Sequence, residues 1–129
     1  LTPANAGPRH AATGIYYLLR DSDRSRLHRL RSEEIWHFYA GCGLTLHMLH
    51  PDGALSQARL GPDPEKGQAF RAQVPPGVWF GATLDAPASY ALVGCTVVPR
   101  FEYADFELAD RNSLLRQYPA RRDIIMRLT

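Results

Sequence analysis

The sequence lacks the features that mark several large classes of protein. It has only two cysteines, Cys42 and Cys95, and no cysteine pair at metal-binding spacing. We therefore expect reduced thiols in a cytoplasmic protein. No run approaches the ~20 apolar residues of a membrane span, and no signal peptide is visible. The sequence thus predicts neither a disulfide scaffold nor a membrane protein.

Strong charge of one sign is also lacking, because the formal net charge is only +2. An arginine-rich run spans 20–31, but Asp21 and Asp23 interrupt it and Glu33 and Glu34 follow it. This mixture is typical of a solvated strand edge, so we expect no nucleic-acid partner. A phosphate-binding loop, a Ser-His-Asp order and a dinucleotide fingerprint are all missing.

What remains is a pattern of short β-like runs in a chain of 129 residues, 45% of them hydrophobic. This length predicts one domain, 1–129, with an irregular lead-in over 1–12. Turn residues separate the runs, which favours a β-sandwich or barrel over 13–99. The predicted strands are 14–19, 25–30, 34–40, 44–48, 56–60, 70–74, 78–83 and 90–98.

A short helical tail is predicted over 110–128. Asp110 can cap a first helix, which Pro119 ends. A second short helix follows, with apolar residues on one face. We expect the pair to cover an open end or an edge strand of the β unit. The apolar positions of the two helices are Leu114, Leu115, Tyr118, Ile124, Ile125 and Leu128.

Two motifs resemble those of the cupin superfamily. His28, Glu34 and Gly41 stand where its first motif has a histidine, the glutamate and the glycine, and the run 75–80 resembles its second motif. Further matching runs at 13–19, 33–41, 74–79 and 92–99 make the chain most similar to a family of small, uncharacterised cupins, the fifth cupin group. Two departures are Arg100, where a glycine is usual, and Phe80, where a polar residue is common.

The resemblance implies an all-β fold, an antiparallel jelly-roll barrel of the cupin type, over nearly the whole chain. It also implies a small-molecule pocket in the barrel and a homodimer. It implies no particular reaction, because fold alone does not determine function. Strand 34–40 is largely apolar on both faces, so we expect both faces to be buried. The second face could be covered by an extension of the other sheet, by a C-terminal helix or by a partner subunit.

The resemblance also raises the question of a metal, because metal-binding cupins use about three histidines and one glutamate. Here Leu30 and Phe80 occupy two of the histidine places, which leaves His28 and Glu34. Two ligands are too few for an ordinary catalytic site. We therefore expect no metal cofactor, with His28 and Glu34 as weak candidate ligands. His37 and His47 fall on strand faces that point away.

His28 and Glu34 are instead the candidate catalytic residues. We expect them to meet from adjacent strands, because a buried imidazole and carboxylate must pair to offset the free-energy cost of burial. The pair would form either an acid–base dyad or a plain core hydrogen bond. The candidate ligand-binding residues are Trp36, Phe38, Met48, Gln73 and Phe80, with Trp36 offering a flat stacking face and an N–H.

The main functional hypothesis is a metal-independent pocket for a carbohydrate-like or cyclic small molecule. An alternative is an isomerase or epimerase in which His28 acts as general base. A metal-dependent cupin enzyme would need ligands beyond His28 and Glu34, and a purely structural dimer would bind no ligand. The sequence does not choose between binding and catalysis.

Overall fold

The computed structural model of the chain describes residues 11–129. Nine strands and two α-helices account for most of them. The strands are β1 Thr13–Arg20, β2 Arg24–Arg29, β3 Glu33–Gly41, β4 Leu44–Leu49, β5 Leu55–Leu60, β6 Arg71–Val74, β7 Trp79–Leu84, β8 Tyr90–Val98 and β9 Glu107–Leu108. The helices are α1 Arg111–Gln117 and α2 Arg122–Leu128.

The strands form two antiparallel sheets. One has the order β1-β8-β3-β6, and the other has the order β5-β4-β7-β2-β9. Their inner faces share one hydrophobic core, to which the first sheet contributes Trp36 and Val93 and the second contributes Leu46 and Phe80. The eight predicted strands are confirmed to within one residue at either end, and the fold is mostly β and jelly-roll-like. The short β9 was not predicted, and the first ten residues of the predicted lead-in lie outside the described residues.

The two helices form where the apolar spacing predicts them. The Asp110 carboxylate accepts a hydrogen bond from the Ser113 N–H at 2.9 Å, which caps α1. Buried side chains of both helices pack on Leu27, Leu49 and Trp79, which belong to β2, β4 and β7. The helices therefore cover the outer face of the five-stranded sheet rather than an open end. Neither helix is long or apolar enough to cross a membrane, and residues 11–129 contain no other that is.

The backbone geometry at position 41 of the first motif requires glycine. Its φ is +98°, and a Cβ there would lie 2.1 Å from the Tyr90 carbonyl oxygen. The same carbonyl accepts a hydrogen bond from the Cys42 N–H at 2.7 Å. Only glycine allows the chain to leave β3 so close to β8.

The outer face of the four-stranded sheet is exposed and partly apolar. Tyr16, Leu18 and Tyr39 are 79%, 50% and 54% exposed. The Tyr39 ring lies over Gly94, where a Cβ would come within 2.7 Å of the ring. Within the described residues, β3 therefore has an inner face buried at Glu34 and Trp36 and an outer face that is partly exposed.

Candidate functional site

A cavity of about 510 Å³ lies between the two sheets. Its volume falls in the range of pockets that hold small molecules. Strands β1, β3 and β8 supply one wall, strands β2 and β9 supply the opposite wall, and the segment between β8 and β9 closes the side. The lining residues are Thr13, Ile15, Tyr17, Ser25, Arg26, His28, Leu30, Glu34, Trp36, Cys95, Val97, Phe101, Tyr103, Phe106 and Leu108.

Three of the seven predicted site residues, His28, Glu34 and Trp36, line this cavity. The other four do not. Phe38 and Met48 pack in the hydrophobic core, and Gln73 is exposed, where its amide donates to the Glu33 carboxylate. Phe80 is buried behind His28, with the two ring centroids 4.2 Å apart.

The predicted direct pairing of His28 with Glu34 is wrong. β2 and β3 are not adjacent strands but belong to opposite sheets, so the two side chains reach the cavity from facing walls. The Nδ1 atom of His28 is hydrogen-bonded to the Arg26 carbonyl oxygen at 2.7 Å, whereas the Glu34 carboxyl interacts with Cys95 and Trp36. Both residues are described, and no hydrogen bond or ion pair joins them.

A hydrogen bond to the backbone fixes the tautomer of His28. Because the Arg26 carbonyl can only accept, the neutral ring carries its proton on Nδ1 and its lone pair on Nε2. Burial lowers the pKa of His28, against the opposing effect of that backbone hydrogen bond. The imidazole is therefore uncharged at neutral pH, and its Nε2 can accept a proton.

Burial is also the main influence on the pKa of Glu34, whose side chain lies in a residue only 7% exposed. Burial raises the pKa of Glu34 to about 7, while the nearby Cys95 thiol and Trp36 indole oppose the rise. The pKa of the Cys95 thiol is also raised, first by burial and then by the Glu34 charge, so the thiol stays protonated beside the carboxyl. Glu34 thus exchanges a proton near neutral pH.

Trp36 lies beside Glu34 and has an unsatisfied hydrogen-bond donor, its indole N–H. Its side chain is 1% exposed, and its Nε1–H is buried without a hydrogen-bond partner in the described part of the chain. The indole is close enough to Glu34 to lower the pKa of that carboxyl, but the two do not reach hydrogen-bond geometry. An unsatisfied buried N–H is uncommon and costs about 1–3 kcal/mol.

Sequence reasoning missed the segment 100–108, which we call the strap. Its backbone is tied to the sheets: the Phe101 N–H donates to Thr13 Oγ1 at 3.0 Å, and His28 pairs with Leu108 in the β2–β9 ladder. The strap places apolar side chains on the cavity at 101, 103, 106 and 108. That run of aromatic and apolar residues after Pro99 was the signal available in the sequence.

The residues present do not fit the metal site of metal-binding cupins. No group of three or more His, Cys, Asp or Glu side chains that could hold a metal ion occurs within residues 11–129. Leu30 lines the cavity and Phe80 is buried in the core, and neither side chain can ligate a metal.

The two facing antiparallel sheets with a cavity between them define a cupin-like domain. A family model described as Cupin superfamily (DUF985) matches residues 2–109, and the chain belongs to that family. The predicted resemblance is confirmed. A comparison with curated proteins found no match.

Solved structures support the assignment. The chain is similar to a crystallised protein from Shewanella oneidensis, with 39% identity and a TM-score of 0.90 over 94% of this chain and 76% of that one. A hypothetical protein from Leishmania major matches at 34% identity and a TM-score of 0.86, over 94% and 77% of the two chains. A dTDP sugar isomerase from Desulfovibrio desulfuricans matches at 16% identity and a TM-score of 0.66, over 92% and 76%, which shows the fold alone.

Proposed function

We propose that this protein binds a small cyclic or carbohydrate-like molecule, without a metal, in a barrel-like pocket formed by the cavity between its sheets. The observation that carries the proposal is the polar set at Glu34 and Trp36. A titrating carboxyl and a partnerless indole N–H are buried side by side, facing a neutral imidazole. A molecule in the cavity would lie beside this buried polar set.

A purely structural role explains this arrangement less well. Burial of a carboxyl and of an unsatisfied N–H lowers the stability of the fold, and an apolar core of equal volume would avoid both costs. Polar groups that are unfavourable for stability cluster at binding and catalytic sites.

Mass spectrometry of small molecules that co-purify with the chain tests the proposal. We expect a non-covalently bound compound from the wild type and much less of it from His28→Ala. His37→Ala is the matched control, since His37 lies on β3 in phase with the exposed Tyr39. Elemental analysis of the same sample should give far less than one transition metal per chain. Stoichiometric metal, or equal amounts of compound from both variants, would contradict the proposal.

An isomerase or epimerase is the second candidate, favoured by the opposite pKa shifts of His28 and Glu34. Nε2 of His28 can accept a proton when neutral, and the Glu34 carboxyl can donate one below a pH of about 7. Turnover would then follow a bell-shaped pH profile, with its acid limb below the ordinary histidine pKa and its basic limb near pH 7. In His28→Ala turnover would be lost with the fold intact, whereas a pure binder would show weaker affinity and no product.

A further inference from the structure

The strand β2 has a β-bulge beside the cavity. Its ladder with β7 pairs Ser25 with Ala82. The next pair joins His28 to Phe80, so two residues of β2 lie opposite one residue of β7. That one residue is Gly81, where a Cβ would come within 2.5 Å of the Ser25 carbonyl oxygen. Glycine on the neighbouring strand therefore makes room for the bulge.

The bulge changes which residues of β2 lie along the cavity. Ser25 and His28 are an odd number of residues apart, so a regular strand would place them on opposite faces. Both line the cavity, and so does Arg26 between them. The Arg26 carbonyl also accepts the hydrogen bond from Nδ1 of His28. Bulges next to active sites redirect side chains, and this one brings a cation and a base to the cavity together.

Arg26 is an unpaired cation. It is the one lysine or arginine among the described residues that line the cavity, and it is exposed, so an anion can reach it from solvent. No ion pair to its guanidinium forms within residues 11–129. Arg29 on the same strand differs, because it pairs with Glu107 at 2.7 Å and lies over the Trp79 ring. The charge of Arg26 is therefore left for a bound partner.

The opposite wall does not repel an anion at slightly acidic pH. Glu34 is the one acidic residue in the described lining, and its pKa is about 7. At pH 6.5 this carboxyl is mostly protonated, and burial lowers the pKa of His28 so that the imidazole adds little charge. The described lining is then positive at Arg26, which favours a negatively charged ligand.

The groups beside Arg26 indicate the rest of the ligand. Nε2 of His28 can accept a hydrogen bond from a hydroxyl. The ring centroids of His28 and Phe106 are 5.6 Å apart, and those of Phe106 and Phe101 are 6.2 Å apart. A ring in the cavity can therefore contact the aromatic side chains of the strap while its substituents meet β2.

We infer that the cavity takes a cyclic carboxylate. Its carboxylate pairs with the Arg26 guanidinium, a ring hydroxyl donates to Nε2 of His28, and the ring lies against the strap. This inference rests on the proposed function and narrows its ligand class from cyclic molecules in general to cyclic acids.

Two pairs of probes test the inference by calorimetry at pH 6.5. One pair is 4-hydroxybenzoate and neutral 4-hydroxybenzyl alcohol, and the other is D-glucuronate and neutral D-glucose. Within each pair the ring and its hydroxyls are kept and the carboxylate is lost. At least one acid should bind about tenfold more tightly than its neutral counterpart. Which acid binds shows whether the ring is aromatic or a sugar.

Variants identify the cation. Arg26→Gln should bind the acid no better than its neutral counterpart, because the charge is lost while the backbone carbonyl that holds His28 stays. Arg24→Gln is the matched control, since Arg24 is an exposed arginine of the same strand that does not line the cavity, and it should bind the acid like the wild type. Raising NaCl from about 50 to about 500 mM should weaken acid binding by the wild type and leave Arg26→Gln unaffected, because salt screens an exposed ion pair.

Equal binding of an acid and its neutral counterpart would overturn the inference while leaving the proposed function intact. A preference for the acid that persists in Arg26→Gln would do the same. Failure of both acids to bind would also overturn it, and the proposed function then fails too only if no compound co-purifies with the chain.

Discussion

Glu34 is the residue on which the chemistry of the cavity depends. Its neighbours are a thiol and an indole, neither of which carries a compensating positive charge. Burial is therefore the main influence on the carboxyl, and its pKa rises to about 7. The resulting group can donate a proton, accept one or hold a neutral hydrogen bond within the physiological pH range.

The raised pKa of Glu34 makes a stability prediction. An acid whose pKa rises on folding from 4.5 to about 7 stabilises the fold most below pH 4.5, and that stability is lost as pH rises through 7. The loss from this group between pH 5 and 8 is about 2 kcal/mol. Urea denaturation should show that Glu34→Gln lacks this loss, whereas Glu33→Gln retains it. A wild type and a Glu34→Gln variant with parallel pH profiles would contradict the burial of this carboxyl.

The positions of individual side chains were predictable only in part. The period of two along β3 correctly placed Glu34 and Trp36 on one inner face. The alternation shows which side of a strand a residue lies on, but it does not show which sheet the strand joins. It therefore did not show that His28 belongs to the opposite sheet. Gln73 is on an edge strand, where the alternation of RAQV is too short to separate inside from outside.

Strands and helices were more predictable than site geometry. Proline and glycine mark the turns, as at Pro51–Gly53 and Pro75–Gly77, and strand boundaries follow from them. β9 was not predictable, because a two-residue strand has no period and exists through pairing with β2. The strap, which contains β9, lines the cavity. The element that the sequence did not predict is therefore part of the candidate site.

The helix α2 supplies an element-level prediction. Ile125 is fully buried against the outer face of the five-stranded sheet, in a cluster with Leu27, Leu49 and Trp79. Ile125→Ala should lower the free energy of unfolding by about 3 kcal/mol, through lost burial and the space left behind. Met126→Ala is the matched control on a more exposed position of the same helix, and denaturant unfolding measures both. Equal small losses would show that α2 does not cover the sheet.

At the scale of the whole molecule, the outer face of the four-stranded sheet is left uncovered by the described residues. Tyr16, Leu18 and Tyr39 on the outer face of the four-stranded sheet are exposed beside partly buried Ile35 and Leu92. We propose that a second copy of the chain covers this face in a two-fold homodimer, in which the same patch meets itself.

Light scattering after gel filtration tests the homodimer. The wild type should have twice the mass of the 14.4 kDa chain, and Leu18→Arg should have the mass of one chain. Arginine at this position would place two like charges in an apolar interface. Arg24→Ala, on β2 of the other sheet, is the control and should remain dimeric. A monomeric wild type, or a dimeric Leu18→Arg variant, would rule out this interface.

The central claim is that a small molecule occupies the cavity beside Trp36, and the indole N–H signals of the protein test it most directly. The chain has two tryptophans, so a ¹H–¹⁵N spectrum shows two indole peaks, and Trp36→Phe identifies one of them. After treatment with EDTA, the protein is titrated with a cell extract of molecules below about 1 kDa, a size that suits the pocket. The account predicts that the Trp36 peak shifts as a molecule occupies the cavity beside the indole ring, while the Trp79 peak stays in place. A Trp36 peak that does not move at any extract concentration would contradict it.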